Sequence, residues 1–308
     1  MSIFPHTSKH NKPAWTHISQ PTDEQLKALV EQYDLHSIIE EDLLSGVIQD
    51  KVDSYDDHLF VVMHFPKFDP IQDKYYTNPL FFIVVKDAII TLSRHPIRKL
   101  EQMHDEYQST DGDQDHDLVR SPYYVMYKVI DAMYDKLLLS LAKFTKDIQI
   151  LEQDLFSRKR LNSKILSTLF VKRRNIIFVN HTVWPQAEIL SELHQAVVKI
   201  LKEDGDVYFE DLQYKFDKIV HTMEAISENT HSLSTTYTAL ANIQTNSVIS
   251  LLTIFTASIG ILAMITWLYG MNVPLPGQNN PHMFVIIVWC MAIFFVWGLT
   301  LAKKNDWR

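Results

Sequence analysis

From Asn229 to Ala302 the chain carries no Lys, Arg, Asp or Glu, a run of 74 residues. All 66 charged residues, 29 basic and 37 acidic, are confined to the other 234. A soluble fold needs charge around its whole surface, so this segregation predicts a polar body joined to a membrane-embedded end. The overall composition, 46% hydrophobic and 21% charged, is that of an ordinary soluble protein and conceals the division.

Within the charge-free run, Val248 to Tyr269 supplies 22 residues, or ~33 Å of helix against a hydrocarbon thickness of ~30 Å. Met283 to Leu301 supplies 19 more. Between them, Gly270 to His282 holds three Pro, two Gly and the pair Asn279-Asn280. The pattern predicts a hairpin of two membrane spans joined by a short loop. That loop has no Lys or Arg, whereas Lys303, Lys304 and Arg308 follow the second span. Basic residues favour the cytoplasm, so both termini are expected inside and the loop outside, in an inner or plasma membrane. Met1 to Trp15 shows no apolar core of a secretory signal.

Other counts exclude whole classes. Seven Gly argue against Gly-lined phosphate sites, and one cysteine, Cys290, excludes a disulfide framework or a Cys-based zinc site. A net charge of −8 makes nucleic acid an unsuitable partner. The fourteen His are scattered, and H-E-x-x-H, G-x-S-x-G and the P-loop motif are all missing. No enzyme and no organic cofactor are expected.

The polar body reads as two parts. Residues 1–118 predict an α/β domain: a helix over Asp23 to Tyr33, then β-rich runs at Leu59 to Phe65, Leu80 to Val85 and Ala88 to Leu92, the last two joined by a turn at Lys86-Asp87. These suit a half-buried antiparallel sheet backed by helices. The acidic stretch Asp111 to Asp117 lacks the Gly and Glu of a calcium loop and reads as a solvated linker. Residues 119–247 are predicted helical, with turns or solvated faces at Arg158-Lys159-Arg160 and Lys172-Arg173-Arg174.

The most regular pattern lies from Asp206 to Ser247. Phe209, Leu212, Phe216, Ile219, Met223, Ile226, Thr230, Leu233, Tyr237, Leu240, Gln244 and Ser247 follow in steps of three and four. That seven-residue repeat is the seam of a long stalk helix packed lengthwise on others. Thr230, Gln244 and Ser247 make the seam polar, which fits either a wet centre or polar residues tolerated in a bundle. The helix continues into the first span, part of the segment 248–308, and the seam is expected to continue with it. There Ile249, Thr253, Thr256, Gly260, Ala263, Trp267 and Gly270 share one stripe, with Asn246 just before them. The stripe is either a narrow uncharged pore lining or a close helix-packing face of the Thr256-x-x-x-Gly260 type.

The first span closes on Gly270-Met271-Asn272. A Gly-Met-Asn tripeptide at the outer end of the first of two C-terminal spans resembles the signature of the CorA-type magnesium and divalent-metal transporters. The Trp15 to Val62 region, with His36, Glu41-Asp42 and Tyr55 to Phe60, and Tyr208-Phe209-Glu210-Asp211 at the head of the stalk, are similar to that family too. The resemblance implies a fold that is mainly α overall: an α+β cytoplasmic domain, a long stalk helix and two transmembrane helices. It also implies a homopentamer in membrane lipid, with Asn246, Ile249, Thr253, Thr256, Gly260 and Ala263 lining the pore. Gly270, Met271 and Asn272 form its selective outer entrance. Mg2+ is then both transported and a cytoplasmic regulator, with Asp211 in the regulatory metal site or else a plain surface carboxylate. The loop from Val273 to His282 has no acidic residue where many magnesium-type members carry one, and His282 would suit Zn2+, Co2+ or Ni2+. A transporter of those ions and a non-conducting membrane-tethered scaffold are the alternatives.

Overall fold

The structure, a computed structural model, describes residues 13–45, 49–85, 88–109, 121–157, 161–201, 206–271 and 281–305. The Lys86-Asp87 turn, the acidic stretch from Asp111, the cluster Arg158-Lys159-Arg160 and the loop from Asn272 to Asn280 lie outside the described residues. The chain divides into two compact units, Met1–Leu233 and Ser234–Arg308.

The first unit begins with β1 (Ala14–Ser19), α1 (Asp23–Tyr33), α2 (Ser37–Ser45), β2 (Lys51–Ser54), β3 (His58–Asp69), β4 (Lys74–Val85), β5 (Ala88–Ser93) and α3 (Arg98–Ser109). Helix α1 starts where the sequence supplies a reciprocal cap. Gln25 N donates to Thr22 Oγ1 at 3.3 Å, and Thr22 N donates to Gln25 Oε1 at 2.9 Å. The strands form one sheet of order β1-β5-β4-β3-β2. All neighbours are antiparallel except β1, which runs parallel to β5.

The expected half-buried sheet is in fact covered on both faces. One face presents Phe60, Val62, Phe81, Ile83, Ile90 and Leu92 to Leu26, Leu29, Ile39 and Leu43 of α1 and α2. On the other, Leu59, Val61, Met63, Leu80, Phe82 and Ile89 are fully buried as well. Long-range packing explains the difference. Helices α4 (Pro122–Ser157) and α5 (Ser163–Val183) lie against the sheet, as the Phe65–Tyr134 ring contact at 6.0 Å and the Asn175 Nδ2 to Asp73 O bond at 3.0 Å show. A strand buried on both faces loses its alternation and reads as a continuous apolar run, which is how β3 to β5 look in the sequence.

Helices α6 (Gln186–Leu201) and α7 (Asp206–Tyr269) complete the helical part, and α8 (Pro281–Asn305) follows. The heptad seam of α7 is realised over its first half: Leu212, Phe216, Ile219, Met223, Ile226, Thr230 and Leu233 are all buried. Thr230 is buried, and its hydroxyl donates to Ile226 O at 2.7 Å, which satisfies its proton within the helix. Of the basic cluster on α5, Arg173 and Arg174 are exposed, as a solvated face requires. Lys172 instead pairs with Asp147 of α4 at 2.7 Å. The fold class expected from the sequence, a sheet domain followed by a long helix in a mainly helical chain, is the one observed.

The β1 edge holds two imidazoles kept neutral. Trp15 Nε1 donates to Thr91 Oγ1 at 3.1 Å, His17 Nδ1 lies 2.9 Å from the same oxygen, and the His17 and His104 rings are 6.1 Å apart. Burial, then repulsion from His104, lowers the His17 pKa to about 4 despite its bond to the Thr91 backbone. The unfolded chain therefore binds a proton that the folded chain refuses between about pH 6.5 and 4. Stability from this group is complete above that window and is lost as pH falls through it, by up to about 3 kcal/mol. A His17→Gln variant should show a flatter fall of melting temperature between pH 7 and 4.5 than the wild type in parallel thermal scans.

Candidate ion pathway

Two places carry the chemistry that the sequence pointed to. The first is the C-terminal half of α7. Neither Gly nor Pro stands between Gly205 and Gly260, so nothing breaks the hydrogen-bond ladder, and α7 runs for 64 residues. At 1.5 Å per residue that is ~96 Å. Among the described residues it is the one helix long and apolar enough to cross a membrane, and the apolar part of α8, His282–Trp297, is shorter. Ile249, Leu252, Phe255, Ile259, Met264 and Trp267 on α7 and Phe284, Trp289, Val296 and Trp297 on α8 are all exposed. Apolar surface on this scale needs a covering of lipid or of other chains.

Asn246, Ile249, Thr253, Thr256 and Gly260 are exposed and Ala263 is half-buried. Ser258, across the helix from this stripe by the turn of 100° per residue, is buried. Counting on from Ser247 by fours and threes leads through Leu251 and Ile254 to Ser258. The heptad seam thus continues on the Ser258 side, opposite the stripe, which corrects the expectation that the stripe prolongs it. A Cβ at Gly260 would meet nothing within 4 Å. Among the described residues no contact requires the small residue.

Thr253 Oγ1 donates to Ile249 O at 2.8 Å and Ser258 Oγ to Ile254 O at 2.8 Å. Spending the hydroxyl proton on the helix satisfies it in an apolar medium and leaves the oxygen lone pairs available outward. Along the stripe, amide and hydroxyl oxygens alternate with apolar surface, and no charge is present. Such a surface is neutral but can accept hydrogen bonds. At the end of α7, Gly270 N donates to Thr266 O at 3.0 Å and Met271 N to Leu268 O at 3.4 Å. A Cβ at Gly270 would sit 3.3 Å from the Thr266 carbonyl, so the last turn closes tightly on a residue without one. Met271 is exposed, and Asn272, the third member of the tripeptide, lies outside the described residues.

The second place is the head of α7. Asp211 is half-buried and accepts a hydrogen bond from Tyr127 of α4 at 2.8 Å. Tyr127 also packs against Tyr124 and Tyr208, with ring centroids 5.6 and 5.0 Å away. Burial, then the bond to Asp211 and its charge, raise the Tyr127 pKa far above the usual phenol range, so Tyr127 stays a donor. One turn along, Lys215 pairs with Asp131 and with Asp135, the latter at 2.9 Å. Burial opposes its charge, but the hydrogen bonds and attraction of the two carboxylates outweigh that and raise its pKa. Sequence reasoning placed Asp211 but missed Tyr127, Asp131, Asp135 and Lys215. The i, i+4 spacing of the two aspartates was visible, but nothing local pairs them with a lysine 80 residues away. Among the described residues of one chain, no group of three His, Cys, Asp or Glu is placed to hold a metal.

A sheet domain, a helical body and a long helix ending in exposed apolar surface are the features of a membrane protein with a large polar body. The profile described as CorA-like Mg2+ transporter protein matches residues 10–304. The chain belongs to that family. It is 22% identical over 300 residues to the cobalt/magnesium transport protein CorA of Thermotoga maritima, covering 96% of this chain and 83% of that one. The complete structure of the CorA magnesium transporter from Methanocaldococcus jannaschii superposes with a TM-score of 0.81 at 18% identity, covering 99% of this chain and 95% of the other. The ZntB cytoplasmic domain of Vibrio parahaemolyticus gives 0.60 at 12% identity, over 77% of this chain and 91% of that domain.

The Lys215 clasp makes a direct prediction. Lys215→Met leaves two carboxylates facing each other at a partly buried contact and should cost about 1–3 kcal/mol. Chemical denaturation should then show a lower midpoint, and Asp135→Asn, which is more exposed, a smaller loss.

Proposed function

We propose that this chain is a homopentameric channel for divalent cations, carrying Mg2+ inward down the membrane potential. The observation that carries this reading is the exposed, uncharged stripe on α7 leading to Gly270-Met271-Asn272, in a chain whose family is that of the CorA-like Mg2+ transporters. Five copies of α7 around an axis would turn Asn246, Ile249, Thr253, Thr256, Gly260 and Ala263 inward. The Asn272 amides would then ring the outer mouth. Magnesium gives up its water reluctantly, so neutral oxygens that bond to its hydration shell suit it. Five helix C-termini at the same mouth would add partial negative charge.

On this reading residues 1–118 form a cytoplasmic α/β domain and 119–247 a helical funnel. Residues 248–308 form a hairpin of two spans with both chain termini inside. The driving force is ample. An inside-negative potential favours a divalent cation by about 4.6 kcal/mol per 100 mV, or roughly three decades of concentration ratio. The harder requirement is to close, and Asp211 is assigned to a closing divalent site completed by a neighbouring subunit. In the isolated chain Tyr127 holds that carboxylate, so metal and phenol compete for it.

Uptake into proteoliposomes under an inside-negative potential tests the pathway. Mg2+ flux should fall by about tenfold or more in Asn272→Ala, which removes the ring of amides. Flux of Zn2+, Co2+ or Ni2+ without Mg2+ would move the chain to the transition-metal reading. No flux of any ion from folded, pentameric protein would favour a scaffold. Closing is tested apart from conduction. Tyr127→Phe frees Asp211 and should lower the Mg2+ concentration that half-closes the channel by several-fold, at a stability cost of about 1 kcal/mol. An unchanged half-closing concentration with that stability loss would make Asp211 a structural acceptor only.

A further inference from the structure

Between the ends of β3 and β4 and the middle of α4 lies a pocket of about 270 Å3. Its apolar lining includes Phe65, Ile97, Met133 and Leu137, all buried core side chains. The polar lining consists of Asn78, Ser140, Lys67 and Lys136, with no Asp or Glu. Two of those four are already engaged. Asn78 donates to His95 O and accepts from His95 N, both at 3.1 Å, and Ser140 Oγ lies 2.9 Å from Tyr75 Oη. The two ammonium groups keep protons to spare. Lys67 Nζ donates to Pro96 O at 3.0 Å and lies 5.9 Å from the centroid of the Tyr76 ring, with two of its three protons left for a further acceptor. Lys136 is an exposed residue of α4 at the pocket rim; among the described residues it makes no ion pair, and it also lines an adjoining pocket with Glu106, Asp131 and Asp135. Partial burial, then the charge of Lys67, lowers the Lys136 pKa. In a protein of net charge −8, an acid-free pocket with two lysines stands out from its surroundings.

We propose that this pocket binds a small carboxylate with an apolar body, the anion meeting Lys67 and Lys136 and the hydrocarbon part meeting Phe65, Met133 and Leu137. The volume falls just below the ~300 Å3 at which pockets for drug-sized ligands begin, so the ligand is of single-ring or short-chain size. An inorganic anion would use the charges and leave the apolar floor wet. A neutral apolar molecule would leave both ammonium groups at the pocket without an anion. The ligand would also touch α4 beside Asp135, the residue that pairs with Lys215 of α7. The proposal stands independently of ion conduction.

The test uses the full chain in lipid nanodiscs and titrates 3-phenylpropionate by calorimetry, with 3-phenylpropanamide and inorganic phosphate as controls. The expected result is one saturable site per chain for the carboxylate, with both controls weaker by about tenfold or more. Lys136→Met should weaken the carboxylate by a similar factor and Lys136→Arg should restore most of it, with melting temperatures near that of the wild type. Lys67→Met also loses the brace to Pro96, so its binding is read only if its melting temperature is retained. Equal binding of the amide or of phosphate, undiminished binding by folded Lys136→Met, or no saturable binding at millimolar carboxylate would overturn the proposal.

Discussion

A backbone that enters hydrocarbon takes its amides with it, and each unpaired one costs several kcal/mol. This constraint shapes α7 more than any contact does. The helix pairs its amides with its own carbonyls, and its Thr and Ser hydroxyls return their protons to carbonyls three or four residues earlier. Once satisfied internally, its surface is free to serve other ends along its length. Near the start one side packs into the helical body, and further on an uncharged stripe is exposed. Gly270 ends the ladder where the tripeptide begins, so the proposed entrance sits at the point where backbone carbonyls first become available.

The body that carries α7 is held by polar contacts as well as by its apolar core. Lys215 joins α7 to two aspartates of α4, and Tyr127 joins α4 to Asp211. Lys51 likewise ties α2 to β2 through Asp42 at 2.5 Å and Asp53 at 2.6 Å. Partly buried pairs of this kind are poor sources of net stability, because removing charges from water offsets most of the attraction. What they supply is register. A slide of α4 along α7 by one turn would leave charges unpaired, whereas an apolar seam alone would tolerate it.

Legibility followed the range of each interaction. The charge-free run, the stalk heptads and the strands β3, β4 and β5 depend on residues close in sequence, and all were readable. β1 was not, because Ala14 to Ser19 forms a strand only when β5, more than 70 residues later, offers it a parallel edge. The second buried face of the sheet was missed for the same reason, since the helices that cover it come from beyond residue 120. At the head of the stalk the motif around Asp211 was visible, whereas its phenol partner 84 residues earlier was not.

By itself the sequence determined where charge is forbidden, which helix must be long and which of its residues share a stripe, because helical period and solvent preference act over a few residues. Its tripeptide and stalk motif also pointed to the family. Only the tertiary structure decided that the sheet is buried on both sides, that Tyr127 holds Asp211 and that two lysines line one acid-free pocket. Those outcomes rest on side chains from distant elements meeting at hydrogen-bond range, and no local pattern specifies which distant partner arrives.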